Sequence, residues 1–444
     1  MNKKINVLFD ATVLANGVGK SAARSGVYFV AYNILLEMLK REELNVSIYC
    51  NLDKIHQVIK SINSDENLVN ISMFKNTKLG NLIGYWETVK YENKVNKGNK
   101  IVRVFIKTIL NFFKFIFDVK NKLNMNHEYE RLFDDIDVFF SSYCAILPEI
   151  KKIKHIKKYT ILYDIIPLIF PEYYPDIKDK TSWFLKLVNS INKDDYYFAI
   201  SEHTKNDFIK HVSNIDPAHI ITIPLSTGLK YEKVQDSSKI DKVKEKYNIP
   251  KDKKYLFSLC TLEPRKNLIF AVKNFVEFIK RNNINDFVFV LGGGHWEFFI
   301  QKMDETIEDL KDFKDKIIKI GYVDDEDMSA LYSGAEVFTF PSIYEGFGMP
   351  ILEAMQCGCP VITSSVTSMP EVIGDCGIQI NPKEDEDLIK AFEKMYFDKS
   401  FKKECSKKGL ERAKMFNWEK CADVIIMEMC KNEKSTGNRC YSNV

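Results

Sequence analysis

Short apolar runs rich in Val, Ile, Phe and Tyr alternate with helix-length stretches along the whole chain. In the first half the runs fall at 5–11, 45–50, 137–142, 158–163, 196–201 and 219–224, with helical patterns such as 27–41 and 176–193 between several of them. Runs of this length without polar alternation describe strands buried on both faces, and strands joined through helices run parallel. At 226–253 the pattern gives way to a polar stretch broken by Gly and Pro, read as a linker holding one short helix. It restarts at 254–260, 286–292, 316–323, 336–341, 360–363 and 377–381. The sequence therefore predicts an α/β protein with two doubly wound, Rossmann-like domains in tandem. Ligands of such sheets bind beyond the carboxyl ends of the strands, so the cleft between the domains is the expected site.

The bulk properties exclude some functions. The net charge of +3 argues against a nucleic-acid partner. The ten cysteines form no CxxC pair, and Cys357 and Cys359 are too close for a zinc site, which favours free thiols in a reducing compartment. The N-terminal apolar run meets Asp10 too early for a secretory leader, so the expected location is cytoplasmic.

After the first run comes "VLANGVGKSAARSGVY", residues 13–28. Its "GVGKS" imitates the end of a nucleoside-triphosphate P-loop, but the first glycine of that motif would fall at Leu14. A flexible loop carrying Gly17, Gly19 and Gly26 describes it better.

Residues 90–122 hold nine Lys/Arg and two Asp/Glu, a local excess of +7 that leaves the remainder at −4. Within them, Arg103, Lys107, Asn111, Lys114 and Asp118 form one helical stripe. Phe105, Ile106, Ile109, Phe112, Phe113, Ile116 and Phe117 form the opposite face. The stripe rules out a transmembrane span. Two readings of 101–119 stay open: a core helix with one wet edge, or a helix lying on an anionic membrane surface.

The richest stretch is "TFPSIYEGFGMPILEAMQCGCPVITS", residues 339–364. A helix is expected to start near Met349, with Pro350 in its first turn, and to stop at Gly358. The loop Glu345-Gly346-Phe347-Gly348 then feeds a helix N-terminus, where unpaired N–H groups and the helix dipole favour an anion. Glu345 in the loop and Glu353, expected in the first helical turn, can accept hydrogen bonds from sugar hydroxyls. In "CTLEPRKNL", 260–268, Arg265 and Lys266 follow a strand and would neutralise a diphosphate leaving group.

Together these residues resemble family 4 retaining glycosyltransferases of the GT-B fold. Glu345 and Glu353 have the family's Glu-seven-residues-Glu spacing, and "EPRKN", "GYVDDEDMSALYSGAEVFTFPS" and "MPEVIGDCGI" fit in the expected order. The resemblance implies an acceptor-binding domain at 1–228, a nucleotide-sugar domain at 229–415, and a C-terminal helix in 416–444 that crosses back. It implies that Glu353 holds the donor ribose and Glu345 meets the donor sugar. Arg265 and Lys266 grip the pyrophosphate, Tyr322 and Val323 line the base pocket, and the N-terminal glycine loop closes over the donor. "TILYDIIP" resembles a strand-end motif that often has His before its Asp; here Tyr163 precedes Asp164, which leaves the donor sugar open. Asp164 is the acidic candidate on the acceptor side, and Ser201 lies at the next strand–helix junction. The implied reaction is retaining transfer from a nucleotide sugar to a glycan or lipid-linked hydroxyl, in cell-surface polysaccharide assembly on the membrane's inner face.

Other readings remain at this point: a GT-B phosphorylase, a sugar-nucleotide epimerase, or a non-catalytic nucleotide-binding protein on the same fold. "DDID", 134–137, offers an Asp-x-Asp but reads as a strand-start acid; "DDED", 324–327, reads as helix capping. The seven His show no metal spacing, so neither metal nor cofactor is expected.

Overall fold

The computed structural model describes residues 4–17, 26–73, 78–95, 100–122, 131–174, 182–228, 230–294 and 299–434. Gly19 of the N-terminal loop lies outside them, as does the start of the expected helix at 176–193, of which Trp183–Ser190 is present.

Two parallel sheets are covered by helices. The first holds β1 (Ile5–Asp10), β2 (Leu44–Tyr49), β3 (Ser72–Met73), β4 (Val138–Ser141), β5 (Lys157–Leu162), β6 (Tyr196–Ala199) and β7 (Ile220–Thr222), in the order β3-β2-β1-β4-β5-β6-β7. The second holds β8 (Lys254–Leu259), β9 (Phe287–Gly292), β10 (Ile317–Gly321), β11 (Val337–Phe340), β12 (Val361–Ser364) and β13 (Ile378–Ile380), in the order β10-β9-β8-β11-β12-β13. Central strands such as β4, β9 and β11 are buried at every residue, which is why they read as unbroken apolar runs. The helix Ser237–Lys246 interrupts the linker between the sheets.

In each sheet the strand order reverses once, between β1 and β4 and between β8 and β11. At such a switch point the loops after the two central strands part and leave a crevice. In the second sheet those loops are the segments following Leu259 and Phe340, which carry Arg265, Lys266 and Glu345.

The helix Trp418–Lys434 lies against the first sheet's side of the molecule. Arg41 pairs with Asp423 at 2.6 Å, Asn432 bonds the buried Tyr159 hydroxyl, and the Trp418 indole donates to the Thr227 carbonyl.

The helices Lys78–Val95 and Lys100–Lys122 form a hairpin. Ile106 and Leu110 are buried against Ile83, beside Trp86, Val89 and Phe113. Lys114 also turns toward the neighbouring helix, donating to the buried carboxylate of Glu87 at 2.6 Å. The division into a polar stripe and one apolar face is therefore corrected: Ile106 and Phe113 pack inward, while Phe105 and Phe112 face outward. The side chains of Phe117 and Asp118 lie outside the described residues. Among the described residues no helix is long and apolar enough to cross a membrane.

Candidate active site

The turn Pro264–Lys266 follows β8 and ends at Asn267, which has a positive φ of 59°. This turn is tied to the loop after β11, because the Ile343 N–H donates to the Arg265 carbonyl at 2.7 Å. Two cations thereby converge on one buried carboxylate. Lys266 Nζ donates to Glu345 Oε1 at 2.6 Å, and Arg265 Nη1 lies 3.0 Å from the same oxygen. Arg265 also bonds Glu263 at 2.9 Å and the Tyr344 carbonyl at 3.1 Å. The Lys266 ammonium sits 5.0 Å from the centre of the Phe340 ring, a further cation contact.

Burial alone would push the Glu345 carboxyl up, but Lys266 and Arg265 outweigh it and hold Glu345 below the usual carboxylate range. Burial likewise works against the Arg265 charge, and Glu345 and Glu263 more than offset it.

Gly348 takes φ 103° as the residue that opens the helix Met349–Gln356, and Pro350 stands in its first turn. A side chain at Gly348 would be strained there. The first amides of this helix have no intrahelical acceptor, so they favour an anion beside Arg265 and Lys266. The loop is braced from behind by Ser368, whose hydroxyl reaches the carbonyls of Glu345 and Phe347, each at 2.9 Å.

Glu353 lies in the second turn of this helix, not the first as expected, so it is not a partner of the helix dipole. Its carboxylate accepts the Tyr332 hydroxyl at 2.7 Å, and a hydrogen bond from Tyr231 also holds it. The two tyrosine rings meet edge-on at 6.0 Å. Burial raises the Glu353 carboxyl to about 7, although the tyrosine hydroxyls act in the other direction.

The first sheet meets this loop directly. Ser201 caps the helix Glu202–His211 and donates to the Gly346 carbonyl at 2.7 Å, with Thr204 donating to the same oxygen at 3.2 Å. A Cβ on Gly346 would stand 2.5 Å from the Tyr163 carbonyl oxygen, so only glycine fits there. Glu371 accepts the backbone N–H groups of Glu202 and His203, both at 2.8 Å, and the Tyr344 hydroxyl bonds Asp207. Asp164, at the end of β5, accepts the Ile166 N–H at 3.0 Å. Burial raises its carboxyl; Ile166 and Arg265 oppose that, and Glu345 adds to it. The Tyr163 hydroxyl is committed to the Ser142 carbonyl at 2.8 Å.

Of the N-terminal loop, Gly26 lies across from Met349: a Cβ there would be 3.4 Å from the methionine sulfur. Gly17 packs on the Tyr28 ring, where a Cβ would be 2.7 Å away. Tyr322 is largely exposed and Val323 is buried beside Gly292.

Several features escaped the sequence reading. The Tyr143 ring lies tilted against the half-exposed Trp183 ring at 4.8 Å and meets Tyr163 edge-on, so an aromatic surface lies next to Asp164. Gly293, with φ 135°, leaves no room for a side chain: a Cβ would stand 1.8 Å from the Cys260 carbonyl oxygen. The glycine run "GGG", 292–294, at the end of β9 was the available signal for this close approach. Asp327 does not cap the following helix with its side chain as expected; its carboxylate bonds Lys246 and Tyr247. An ammonium and a phenol close by offer it stronger partners than a backbone amide. Among the described residues, Cys50, Cys144, Cys357, Cys359, Cys376, Cys405 and Cys421 are free thiols.

The family model for glycosyl transferases group 1 matches residues 239–412, the span that holds Arg265, Lys266, Glu345 and Glu353. The O-antigen chain mannosyltransferase B of Escherichia coli is 31% identical over 271 residues, which cover 60% of this chain and 68% of that protein. The serotype-specific mannosyltransferase WbdA of Escherichia coli is 28% identical over 61% of this chain, which spans only 33% of WbdA. Among solved structures, Anabaena HepE in complex with UDP-glucose has a similar fold, with a TM-score of 0.61 at 14% identity over 97% of this chain and 100% of that one. The two facing parallel sheets are a GT-B fold, and the chain belongs to the family of glycosyl transferases group 1.

Proposed function

We propose that this glycosyltransferase is a retaining mannosyltransferase that uses a nucleoside-diphosphate mannose and extends a glycan or lipid-linked glycan of the cell surface. The observation that carries the reading is the convergence of Arg265 and Lys266 on Glu345, beside a helix N-terminus and eight residues before Glu353. The sugar comes from the relatives, which are named as mannosyltransferases.

In this reading the diphosphate lies between the Arg265 and Lys266 cations and the amides of Phe347, Gly348 and Met349. Glu353 accepts the ribose hydroxyls, and the exposed Tyr322 and the buried Val323 flank the base. Glu345 and Gly346 face the sugar. The bond between the anomeric carbon and the diphosphate oxygen breaks, and the acceptor oxygen bonds the same face of that carbon. The acceptor proton passes to the departing phosphate, whose growing charge the two cations and the helix N-terminus stabilise. Asp164 positions the acceptor hydroxyl, and the Tyr143–Trp183 surface stacks against the acceptor sugar. Gly26, facing Met349, brings the N-terminal loop over the donor. The domains are 1–228 and 229–415, with the last helix returning to the first, and the enzyme works as a peripheral protein at the inner membrane face.

The test is a panel of GDP-, UDP- and dTDP-sugars, read by thermal shift and by release of the nucleoside diphosphate. A mannose donor should both stabilise the protein and be consumed. Absence of turnover with every donor would overturn the reading.

A further inference from the structure

We propose that the outward face of the helix Lys100–Lys122 docks on an anionic lipid bilayer, lying flat among the headgroups. This deepens the membrane placement proposed above by naming the surface that makes the contact.

Val104, Phe105, Phe112 and Phe115 are each between 59% and 66% exposed. On a helix advancing roughly 100° per residue, these four fall within one sector roughly 100° wide. Thr108 lies in the same sector, and its hydroxyl donates to the Val104 carbonyl at 3.0 Å, so its polar group is already satisfied within the helix. The sector is therefore apolar along about three turns. It is not the face that holds the hairpin together, because Ile106, Leu110 and Phe113 do that from the other side.

Charge selects the occupant. Lys100, Arg103 and Lys107 are exposed and lie along one flank of the sector. The carboxylate of Glu87 is engaged by Lys90 and Lys114, which leaves it committed within the hairpin. Phenylalanines directed into the acyl boundary with Lys and Arg beside them at headgroup level form the pattern of an interfacial helix. An anionic bilayer satisfies both halves of this surface at once. A second copy of the chain would have to bury the same three cations against each other.

The experiment is vesicle flotation of the full chain with phosphatidylglycerol-rich vesicles and with pure phosphatidylcholine vesicles. The protein should float with the first and not with the second. Phe105→Ser, Phe112→Ser and Phe115→Ser together should lower the bound fraction roughly tenfold or more. Arg103→Gln with Lys107→Gln should lower it roughly tenfold while leaving the helix packing intact. All five positions are exposed, and thermal unfolding of each variant verifies folding. Failure of the wild type to float with either vesicle, or undiminished binding by the triple variant, overturns the proposal. So does a dimer that the triple variant dissociates when no vesicle binding is seen. Turnover is not needed for the readout, so failure here is distinguishable from failure of the sugar-transfer reading.

Discussion

Replacing Glu353 by Gln should stabilise the protein at alkaline pH and weaken nucleotide binding at the same time. The Glu353 carboxyl is raised from 4.5 to about 7 by burial. At about 1.4 kcal/mol for each pH unit, holding it ionised in the folded protein costs about 3 kcal/mol. The sign follows from where each state takes up its proton. Below 4.5 the carboxyl is protonated both folded and unfolded, and no cost arises. Between 4.5 and about 7 the unfolded chain has released the proton and the folded one has kept it, so stability falls as the pH rises. Above about 7 the full cost is present. Gln keeps the shape and an acceptor for one tyrosine hydroxyl but never ionises. Urea unfolding of both proteins should therefore show Glu353→Gln more stable by about 2–3 kcal/mol near pH 8, with the gap closing toward zero at about pH 4. Nucleotide affinity near pH 8 should fall roughly 10- to 100-fold, the loss expected when a charged acceptor for two hydroxyls becomes a neutral one. A stability gap that is independent of pH, or widest in acid, would refute the argument.

Lys266→Ala leaves the buried Glu345 with Arg265 alone; it should cost about 2–3 kcal/mol in chemical unfolding and roughly 10²- to 10³-fold in turnover. Full activity in that variant would remove Lys266 from the site. Gly346→Ala places a methyl 2.5 Å from the Tyr163 carbonyl oxygen and must push the two sheets apart. Transfer should fall roughly 100-fold while nucleotide affinity measured by calorimetry stays within roughly threefold, because the proposed nucleotide contacts come from the second sheet. Treatment with EDTA should leave the transfer rate unchanged, since Arg265, Lys266 and the helix N-terminus are placed to supply the positive charge; loss of activity that Mg²⁺ restores would count against that anion site.

Each of the twelve apolar runs overlaps a strand, most clearly where the strand is buried at every residue, as in β4, β9, β11 and β12, and leaves no polar position to break the run. β3 was missed for the opposite reason: it has two residues, both exposed, and pairs with a single neighbour. The glycine loop and its helix were legible because glycine and proline act locally. The ion pair between Lys266 and Glu345 was not, since the two lie 79 residues apart and meet only when β8 and β11 pair. Tyr231 and Tyr332 were invisible as partners of Glu353, since Tyr231 lies in the polar linker and Tyr332 reads as helix core, and nothing local ties either to Glu353. The helix at 100–122 shows the limit of periodicity: its pattern defines an apolar half, while the part of that half that packs inward depends on Ile83 and Glu87 of the neighbouring helix.

The ion triad has a consequence for product release. Glu345 serves as an internal counter-ion, so the two cations are never bare when the site is empty. With the diphosphate bound as proposed above, that carboxylate must loosen and then needs new donors. A sugar nucleotide brings them as hydroxyl groups, whereas the nucleoside diphosphate left after transfer has none to offer there. Glu345 then closes back on Arg265 and Lys266 and competes with the product for the same charges. On the proposed reading, the carboxylate that meets the sugar thus also helps to expel what remains once the sugar has gone.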